Sequence, residues 1–193
     1  HAVGRFPLLT QDEETNYGRK LKQDNELVAA HYLVTSHLRF VVSIARHYLG
    51  YGLAHADLIQ EGNVGLMKAV KRFDPERGVR LVSFAVHWIK AEIHEYILRN
   101  WRMVKIATTK AQRKLFFNLR SLNTSLGTMS PTEVKAMAKA LGVKPEEVME
   151  METRLSGQDV SLEPLRDDDD DWVSPIAYLT DSDAEPSKIL ENA

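Results

Sequence analysis

The sequence predicts an all-α protein, made of a helical core domain, a small three-helix or helix-turn-helix-like domain and an extended acidic tail. Apolar residues recur every three to four positions along most of the first 122 residues, which is the period of an amphipathic helix. No segment keeps the alternation of a half-buried strand, and neither Asn-Gly nor Asp-Gly, the usual hairpin turns, occurs. A chain of 193 residues is long enough to bury a core of its own.

The core domain begins with three helices whose ends are marked in the sequence. Thr10-Gln11-Asp12-Glu13 is a capping-box pattern that opens the first helix. The second helix is predicted from Glu26 to Leu49 and ends at Gly50-Tyr51-Gly52. The third carries apolar residues from Leu58 to Phe73 and stops at the turn-forming cluster 74–78.

A fourth and longer helix is predicted from about Val82 to Trp101. Residues 123–128 are rich in Ser, Thr, Asn and Gly and form a predicted domain boundary. Ser130-Pro131-Thr132-Glu133 then combines an N-cap, a first-position proline and an acid, which together predict a helix start. Leu141-Gly142-Val143 ends that helix, and Pro145-Glu146-Glu147 starts another.

Beyond Gln158 the composition changes again. Three prolines and the run Asp167 to Asp171 predict an extended tail without a core. The predicted domains are therefore 1–122, 123–158 and 159–193.

Charged residues are unevenly distributed along the chain, although its net charge is only −2. Residues 68–120 hold thirteen Lys and Arg against four Asp and Glu, a net +9, whereas residues 146–193 hold three against fifteen, a net −12. This asymmetry indicates a middle segment that binds a polyanion and a tail that avoids or imitates it.

Several functional classes find no support in the sequence. The chain has no cysteine, which excludes disulfides and thiolate metal sites and fits a reducing cytoplasm. Its histidines form no i, i+4 pair, and no Gly-rich phosphate loop or nucleophile elbow occurs, so we expect no enzyme, metal or cofactor. We expect no signal peptide and no apolar run near the ~20 residues of a membrane span. Because the chain begins with His1, we expect it to be part of a longer protein.

The fourth helix carries two stripes. The first is apolar and is predicted to face the core: Ala85, Ile89, Ile93, Tyr96 and Ile97. The second, called the aromatic face below, consists of Phe84, His87, Trp88, Ala91 and His94. Cations surround it: Arg80, Lys90, Arg99, Arg102 and Lys105. A helix packed on two sides explains a single aromatic residue, but unpaired cations favour a surface on which unstacked bases lie while Lys and Arg hold phosphates.

The third helix presents a different polar surface. Gln60, Glu61, Asn63 and Met67 fall at spacings that can share one exposed arc. An exposed methionine beside carboxamides and acids is typical of an adaptable protein-binding face. An ordinary solvated helix face explains these residues equally well.

Two long motifs then point to a family. DLIQEGNVGLMKAVKRF at 57–73 and RGVRLVSFAVHWIKAEIHEYIL at 77–98 resemble region two of the bacterial sigma factors related to the housekeeping one. QRKLFFNLR at 112–120 resembles the signature box of their heat-shock subgroup. The resemblance covers roughly residues 6–165. It implies a factor that directs core RNA polymerase to heat-shock or stress promoters by recognising and melting the −10 element.

The resemblance implies roles at matching positions. Five residues match those that dock on the clamp helices of the largest polymerase subunit: Asp57, Gln60, Glu61, Asn63 and Met67. Phe84 matches the aromatic residue that stacks on the flipped adenine of the −10 non-template strand, and Trp88 matches the second tryptophan of a Trp-Trp pair.

The aromatic face departs from the family pattern at three positions. His87 replaces the first tryptophan, which wedges the fork of the melted duplex, and an imidazole offers less stacking surface. We therefore expect weaker strand opening. Ala91 and His94 replace a Gln and a Thr that read the upstream edge of the −10 element, so we expect a different preferred −10 sequence.

Polar and basic residues complete the predicted DNA-binding set. Arg102 and Lys105 match basic residues near the strand fork, and Lys110 and Gln112 lie where bases upstream of the −10 element are read. A lysine can donate to guanine O6 and N7, so we expect G·C pairs there. The full set is Arg80, Phe84, His87, Trp88, Lys90, Ala91, His94, Arg102, Lys105, Lys110 and Gln112.

The second domain is predicted to be structural. Residues 130–155 look like a helix-turn-helix, but the second helix carries four glutamates against Arg154 alone, and these would face phosphates in a major groove. We expect DNA contact at most through Lys135 and Lys139 of the first helix.

The tail and the end of the chain have further implications. Composition favours a disordered acidic linker for residues 159–181, whereas the resemblance implies a finger that threads toward the polymerase active centre. The family's −35-reading region would follow the tail, so we expect the chain as given not to read a −35 element. The resemblance also implies a cytoplasmic protein, no membrane partner, and control by chaperones and proteolysis, with residues 112–120 as a candidate handle.

Two other functions stay open from the residues alone. A helical protein-interaction regulator would need no cationic aromatic face. A free-standing repressor would bind duplex DNA without a partner and with strong salt dependence, which the acidic tail argues against.

Overall fold

The computed structural model describes residues 6–24, 26–122, 129–157, 159, 162, 176 and 179. Within these residues the secondary structure is helical and contains no strand, so the all-α prediction is confirmed. The helices are α1 (Gln11–Asp24), α2 (Leu27–Arg46), α3 (His55–Arg72), α4 (Leu81–Asn100), α5 (Lys110–Leu122), α6 (Pro131–Leu141) and α7 (Pro145–Ser156). Single 3-10 turns occur at Leu49–Tyr51 and Pro75–Arg77. The predicted acidic run 167–171 lies outside the described residues.

The capping box predicted at Thr10 is present, and the helix start predicted at Ser130 is a capping box as well. The backbone N–H of Thr10 donates to Glu13 Oε2 at 2.8 Å, and the Glu13 N–H donates to Thr10 Oγ1 at 3.4 Å. Ser130 and Glu133 make the same exchange at 2.8 and 3.4 Å. Accepting these backbone hydrogen bonds lowers the pKa of both glutamates below the ordinary value.

Helix α2 is shorter than predicted and more apolar than expected. It ends at Arg46, and the 3-10 turn that follows closes at Gly52, whose φ of 77° suits glycine. By length and mean hydropathy α2 qualifies as a membrane span, contrary to the expectation that no apolar run is long enough. The core helix of a soluble protein meets the same criterion, and Leu33 and Val41 of α2 are fully buried in this fold.

Two glycines set the closest helix approaches in the core. Helix α3 lies between α2 and α4. A Cβ on Gly65 would come within 2.7 Å of the backbone of Ile89 and Trp88 in α4, and one on Gly62 would come within 2.5 Å of Val41 Cγ1 in α2. Those α4 neighbours are backbone atoms, which cannot move aside. Gly65 therefore sets the distance between α3 and the part of α4 that carries Trp88.

The helices after α4 share a core with the first four. Helix α5 contacts α7, and α7 contacts α6. Leu115, Phe116, Met129 and Met151 belong to the same apolar cluster as the residues of α2 to α4. Two glutamates of α7 are engaged: Glu152 accepts from the backbone N–H of Met129 at 2.7 Å, and Glu150 pairs with Arg154. The domain boundary at residue 123 lies outside the described residues and stays a prediction.

Candidate nucleic-acid interface

Helix α4 buries the predicted apolar stripe and leaves the aromatic face open. Ala85, Ile89, Ile93 and Ile97 are fully buried. Tyr96, the fifth member of the predicted stripe, is only half-buried, and its hydroxyl donates to Asp57 Oδ2 at 3.1 Å. The stripe is therefore confirmed at four of its five positions.

On the aromatic face, Phe84 and Trp88 are half-buried, whereas His87 and Ala91 are exposed. The ring centroids of Phe84 and Trp88 lie 6.2 Å apart. The buried Phe73 packs against Phe84, with their ring centroids 6.4 Å apart. The guanidinium carbon of Arg72 lies 4.4 Å from the centre of the Trp88 ring, within the range of a cation–π interaction. Core packing and Arg72 thus hold both rings in place while part of each remains accessible.

His94 turns away from this accessible surface. Its Nε2 lies 2.9 Å from the hydroxyl of Tyr48, and its ring stacks on Phe117 at a centroid distance of 4.1 Å. Burial, with a smaller contribution from the charge of Lys90, holds the pKa of His94 below its ordinary value. The neutral imidazole can then accept a hydrogen bond from the Tyr48 hydroxyl, so His94 joins α4 to the segment after α2 and to α5.

Arg80 is paired, in contrast to the expectation of free cations around the aromatic face. Its Nε donates to Oε2 of Glu14, a carboxylate that is only 2% exposed. His37 donates through Nε2 to Glu14 Oε1 at 3.0 Å, and its Nδ1 lies 2.7 Å from the carbonyl oxygen of Leu33. A buried carboxylate between two basic side chains thus joins α1, α2 and the start of α4.

Other basic side chains near α4 are also engaged. Arg99 and Arg113 both donate to Glu95, at 3.1 and 3.2 Å. Lys68 pairs with Glu92 at 2.6 Å. Pairing with acids of α4 itself reduces the charge that Arg99 contributes to a phosphate-binding surface.

Arg102 takes part in a reciprocal contact with α7. Its guanidinium donates to the carbonyl oxygens of Arg154 and Leu155 at 3.4 and 3.3 Å, while Arg154 donates to the carbonyl oxygen of Ile106 at 3.0 Å. Arg102 also stacks over Trp101 at 4.4 Å. These bonds are called the Arg102–Arg154 exchange below, and they fasten the segment between α4 and α5 to the end of α7.

Three lysines of the predicted set remain available. Lys90, Lys105 and Lys110 are exposed, and none of them has an ion pair or a side-chain hydrogen bond to any residue that the structure describes. Lys90 lies on α4 with the exposed His87, and Lys105 and Lys110 follow the end of that helix.

Gln112 caps a helix, a role that the sequence interpretation missed. Its Oε1 accepts from the backbone N–H groups of Thr108 and Thr109 at 3.0 and 3.1 Å, and the Gln112 N–H donates to Thr109 Oγ1 at 3.2 Å. This is a capping box at the start of α5. The signal was present, because Thr109 and Gln112 have the same spacing as Thr10 and Glu13 and as Ser130 and Glu133.

The predicted docking residues gather on α3. Gln60 and Met67 are exposed, Met67 at 46%, and the Asn63 amide donates to Gln60 Oε1 at 3.1 Å. Asn63 Oδ1 is buried and has no hydrogen-bond partner among the described residues. Asp57 accepts the hydrogen bond of the Tyr96 hydroxyl. Burial first, and this hydrogen bond second, raise the pKa of Tyr96 above its ordinary value. Glu61 is half-buried.

Comparison with known proteins agrees with this arrangement. A family model described as Sigma-70 region 2 matches residues 33–103, which include α3, α4 and most of α2. RNA polymerase sigma factor RpoH of Caulobacter vibrioides is 48% identical over 182 residues, which cover 91% of this chain and 62% of that protein. The chain therefore spans about three fifths of that relative's length. Residues 33–103, which carry both surfaces, therefore form a region two of the sigma-70 type, and the chain along nearly its whole length is similar to an RpoH sigma factor.

Proposed function

We propose that this chain is the part of an RNA polymerase sigma factor that recognises and melts the −10 element of heat-shock or stress promoters. One observation carries the proposal: Phe84 and Trp88 pack against each other on α4 and stay partly accessible. They lie near the exposed His87 and near Lys90, which has no ion pair among the described residues. Stacking of a base on an aromatic side chain contributes about 1–3 kcal/mol, which two such rings would supply to an unpaired strand.

The cations divide into two groups in this proposal. Lys90, Lys105 and Lys110 contact phosphates, because their ammonium groups are exposed and unpaired within the described residues. Arg80 and Arg102 act mainly as positioning residues through Glu14 and α7. His94 and Gln112 likewise support the surface from within, and Ala91 presents a small apolar group to the upstream edge of the −10 element.

Core RNA polymerase is the proposed protein partner. Asp57, Gln60, Glu61, Asn63 and Met67 form the docking face for the clamp helices of the largest subunit. The exposure of Gln60 and Met67 supports this role, since an exposed methionine among polar groups suits an adaptable interface.

The wider assignments are proposals of the same kind. We assign residues 1–122 to polymerase docking and −10 recognition, 123–158 to a structural helical domain, and 159–193 to an acidic finger or linker. The chain would act in the cytoplasm without catalysis, metal or cofactor of its own. Chaperones and proteolytic machinery would control its amount.

Binding to a fluorescent single-stranded −10 oligonucleotide, with and without bacterial core polymerase, tests the proposal. We expect binding only in the presence of core, and a loss of about tenfold or more when Phe84 and Trp88 both become Ala. Tyr32→Ala, at a half-exposed tyrosine of α2, is the matched control and should bind normally. Tight binding without core, or equal losses in both variants, would contradict the proposal.

A further inference from the structure

The segment between α4 and α5 exposes two apolar side chains at its tip. Met103 is 93% exposed and Val104 is 74% exposed. Among the large apolar side chains that the structure describes, none is more exposed than Met103. Adjacent apolar residues so open to water are typical of a contact surface for a partner.

The base of this tip is fixed on both sides. Arg102, immediately before Met103, donates to two carbonyl oxygens at the end of α7. Arg154 of α7 donates back to Ile106, two residues after Val104. The Arg102–Arg154 exchange therefore limits the motion of the tip, so little conformational entropy is lost when a partner covers it.

The charge around the tip selects the class of partner. Residues 99–114 contain six Lys and Arg and no Asp or Glu. Arg99 and Arg113 are paired with Glu95, and Arg102 and Lys114 donate to backbone carbonyl oxygens. Lys105 and Lys110, which follow the tip in the chain, are exposed. A partner that accepts an apolar tip with exposed cations next to it must be negatively charged and offer apolar faces. The minor groove of duplex DNA has these properties, with phosphates on its rims and base steps that apolar side chains can enter.

We propose that Met103 and Val104 form an apolar wedge that enters the minor groove of the promoter duplex just upstream of the −10 element, with Lys105 and Lys110 on the flanking phosphates. This inference rests on the proposed function. If the aromatic face of α4 binds the melted −10 strand, the upstream duplex lies near the C-terminal end of α4, which Met103 and Val104 follow. Arg102 acts as a positioning residue that holds the wedge through α7.

Two DNA probes separate the wedge from the aromatic face. The chain bound to core polymerase is titrated with a single-stranded −10 oligonucleotide and with a fork that adds the upstream duplex. The double variant Met103→Ser, Val104→Ser should bind the fork about tenfold more weakly and the single strand normally. Met149→Ser combined with Val28→Ser, at side chains 50% and 57% exposed elsewhere, should bind both probes normally.

Site-specific cleavage locates the wedge directly. The chain contains no cysteine, so Met103→Cys carries the only thiol and can hold an iron-chelate cleavage reagent. We expect cuts in the duplex upstream of the −10 element. Met149→Cys, as the control, should give none there.

The possible failures are distinguishable. A wild-type chain that binds neither probe with core overturns the proposed function and this inference together. If the wild type binds both probes but the wedge variant keeps full affinity for the fork, the inference alone is wrong. If the wedge variant no longer binds core polymerase, the tip contacts polymerase rather than DNA. If it loses affinity equally for both probes, the tip contacts the single strand. Either result overturns the wedge.

Discussion

At the scale of single residues, Gly65 controls the geometry of the aromatic face. Its missing side chain lets the α3 backbone contact the α4 backbone at Trp88 and Ile89. Backbone atoms cannot rotate away, so any side chain at this position must separate the two helices.

Gly65→Ala should therefore lower the free energy of unfolding by about 1–3 kcal/mol, measured by urea denaturation followed by circular dichroism. Gly157→Ala is the matched control, because a Cβ there meets no atom within 4 Å and the backbone φ is −62°. The control should stay within about 0.5 kcal/mol of the wild type. Equal stability of all three proteins would show that the α3–α4 contact is not close.

His94 should make stability depend on pH. Burial lowers its folded pKa below the reference value of 6.5, so the unfolded state gains the proton first as the pH falls. The contribution of His94 to the free energy of unfolding is fully present above the pKa of the unfolded state. It is lost as the pH falls through about 6.5 toward the lower pKa of the folded state.

His94→Gln should remove this part of the pH dependence. Between about pH 7.5 and pH 5.5 the wild type should lose more unfolding free energy than the variant does, as measured by urea titration at each pH. The two proteins differ only at residue 94, so the difference between their pH profiles isolates His94. Parallel pH profiles would mean that His94 is not held neutral by its site.

The partners of several site residues could not be predicted from local sequence. Arg80 bonds Glu14 across 66 positions, and Arg102 reaches α7 across 52. Sequence periodicity predicted that these cations surround α4, but a charged residue's partner depends on tertiary packing. The buried pair of Glu14 and His37 was missed for the same reason.

At the scale of elements, helix starts were the most predictable feature because capping is local. Thr10 and Ser130 cap α1 and α6 as the sequence indicated. The start of α5 carries the same pattern at Thr109 and Gln112, so the residue that the family resemblance places against DNA also caps a helix.

Substitutions at Gln112 separate capping from base recognition. Gln112→Ala should cost about 1 kcal/mol of unfolding free energy through loss of the cap. Gln112→Glu, the matched control, keeps the acceptor oxygen and should retain most of that stability. Urea denaturation measures both. A Gln112→Ala protein with unchanged stability but altered preference for upstream bases would show that Gln112 serves base recognition rather than capping.

At the scale of the whole molecule, the tail balances the charge of the rest. Residues 159–193 hold eleven Asp and Glu against two Lys and Arg, so the first 158 residues carry a net charge of +7 while the whole chain carries −2. A polyanion should therefore be repelled by the intact chain and attracted by its first 158 residues.

A chain that ends at residue 158 should bind duplex DNA of arbitrary sequence about tenfold or more tightly at low salt without polymerase, and the gain should vanish as salt rises. Fluorescence anisotropy measures both effects. Replacing Asp167 to Asp171 with Asn in the intact chain removes five negative charges and should give an intermediate affinity. Identical affinities for all three would show that tail charge does not regulate DNA binding.

The pairing of Glu14 with Arg80 also constrains the order in which the protein is made and folded. Glu14 leaves the ribosome well before Arg80, which follows 66 residues later. Burying a carboxylate without its full set of partners is costly, so α1 can dock stably only after the start of α4 has been synthesised. During synthesis, therefore, α1 emerges before α2 and α3 but reaches its native place only after the start of α4 has emerged.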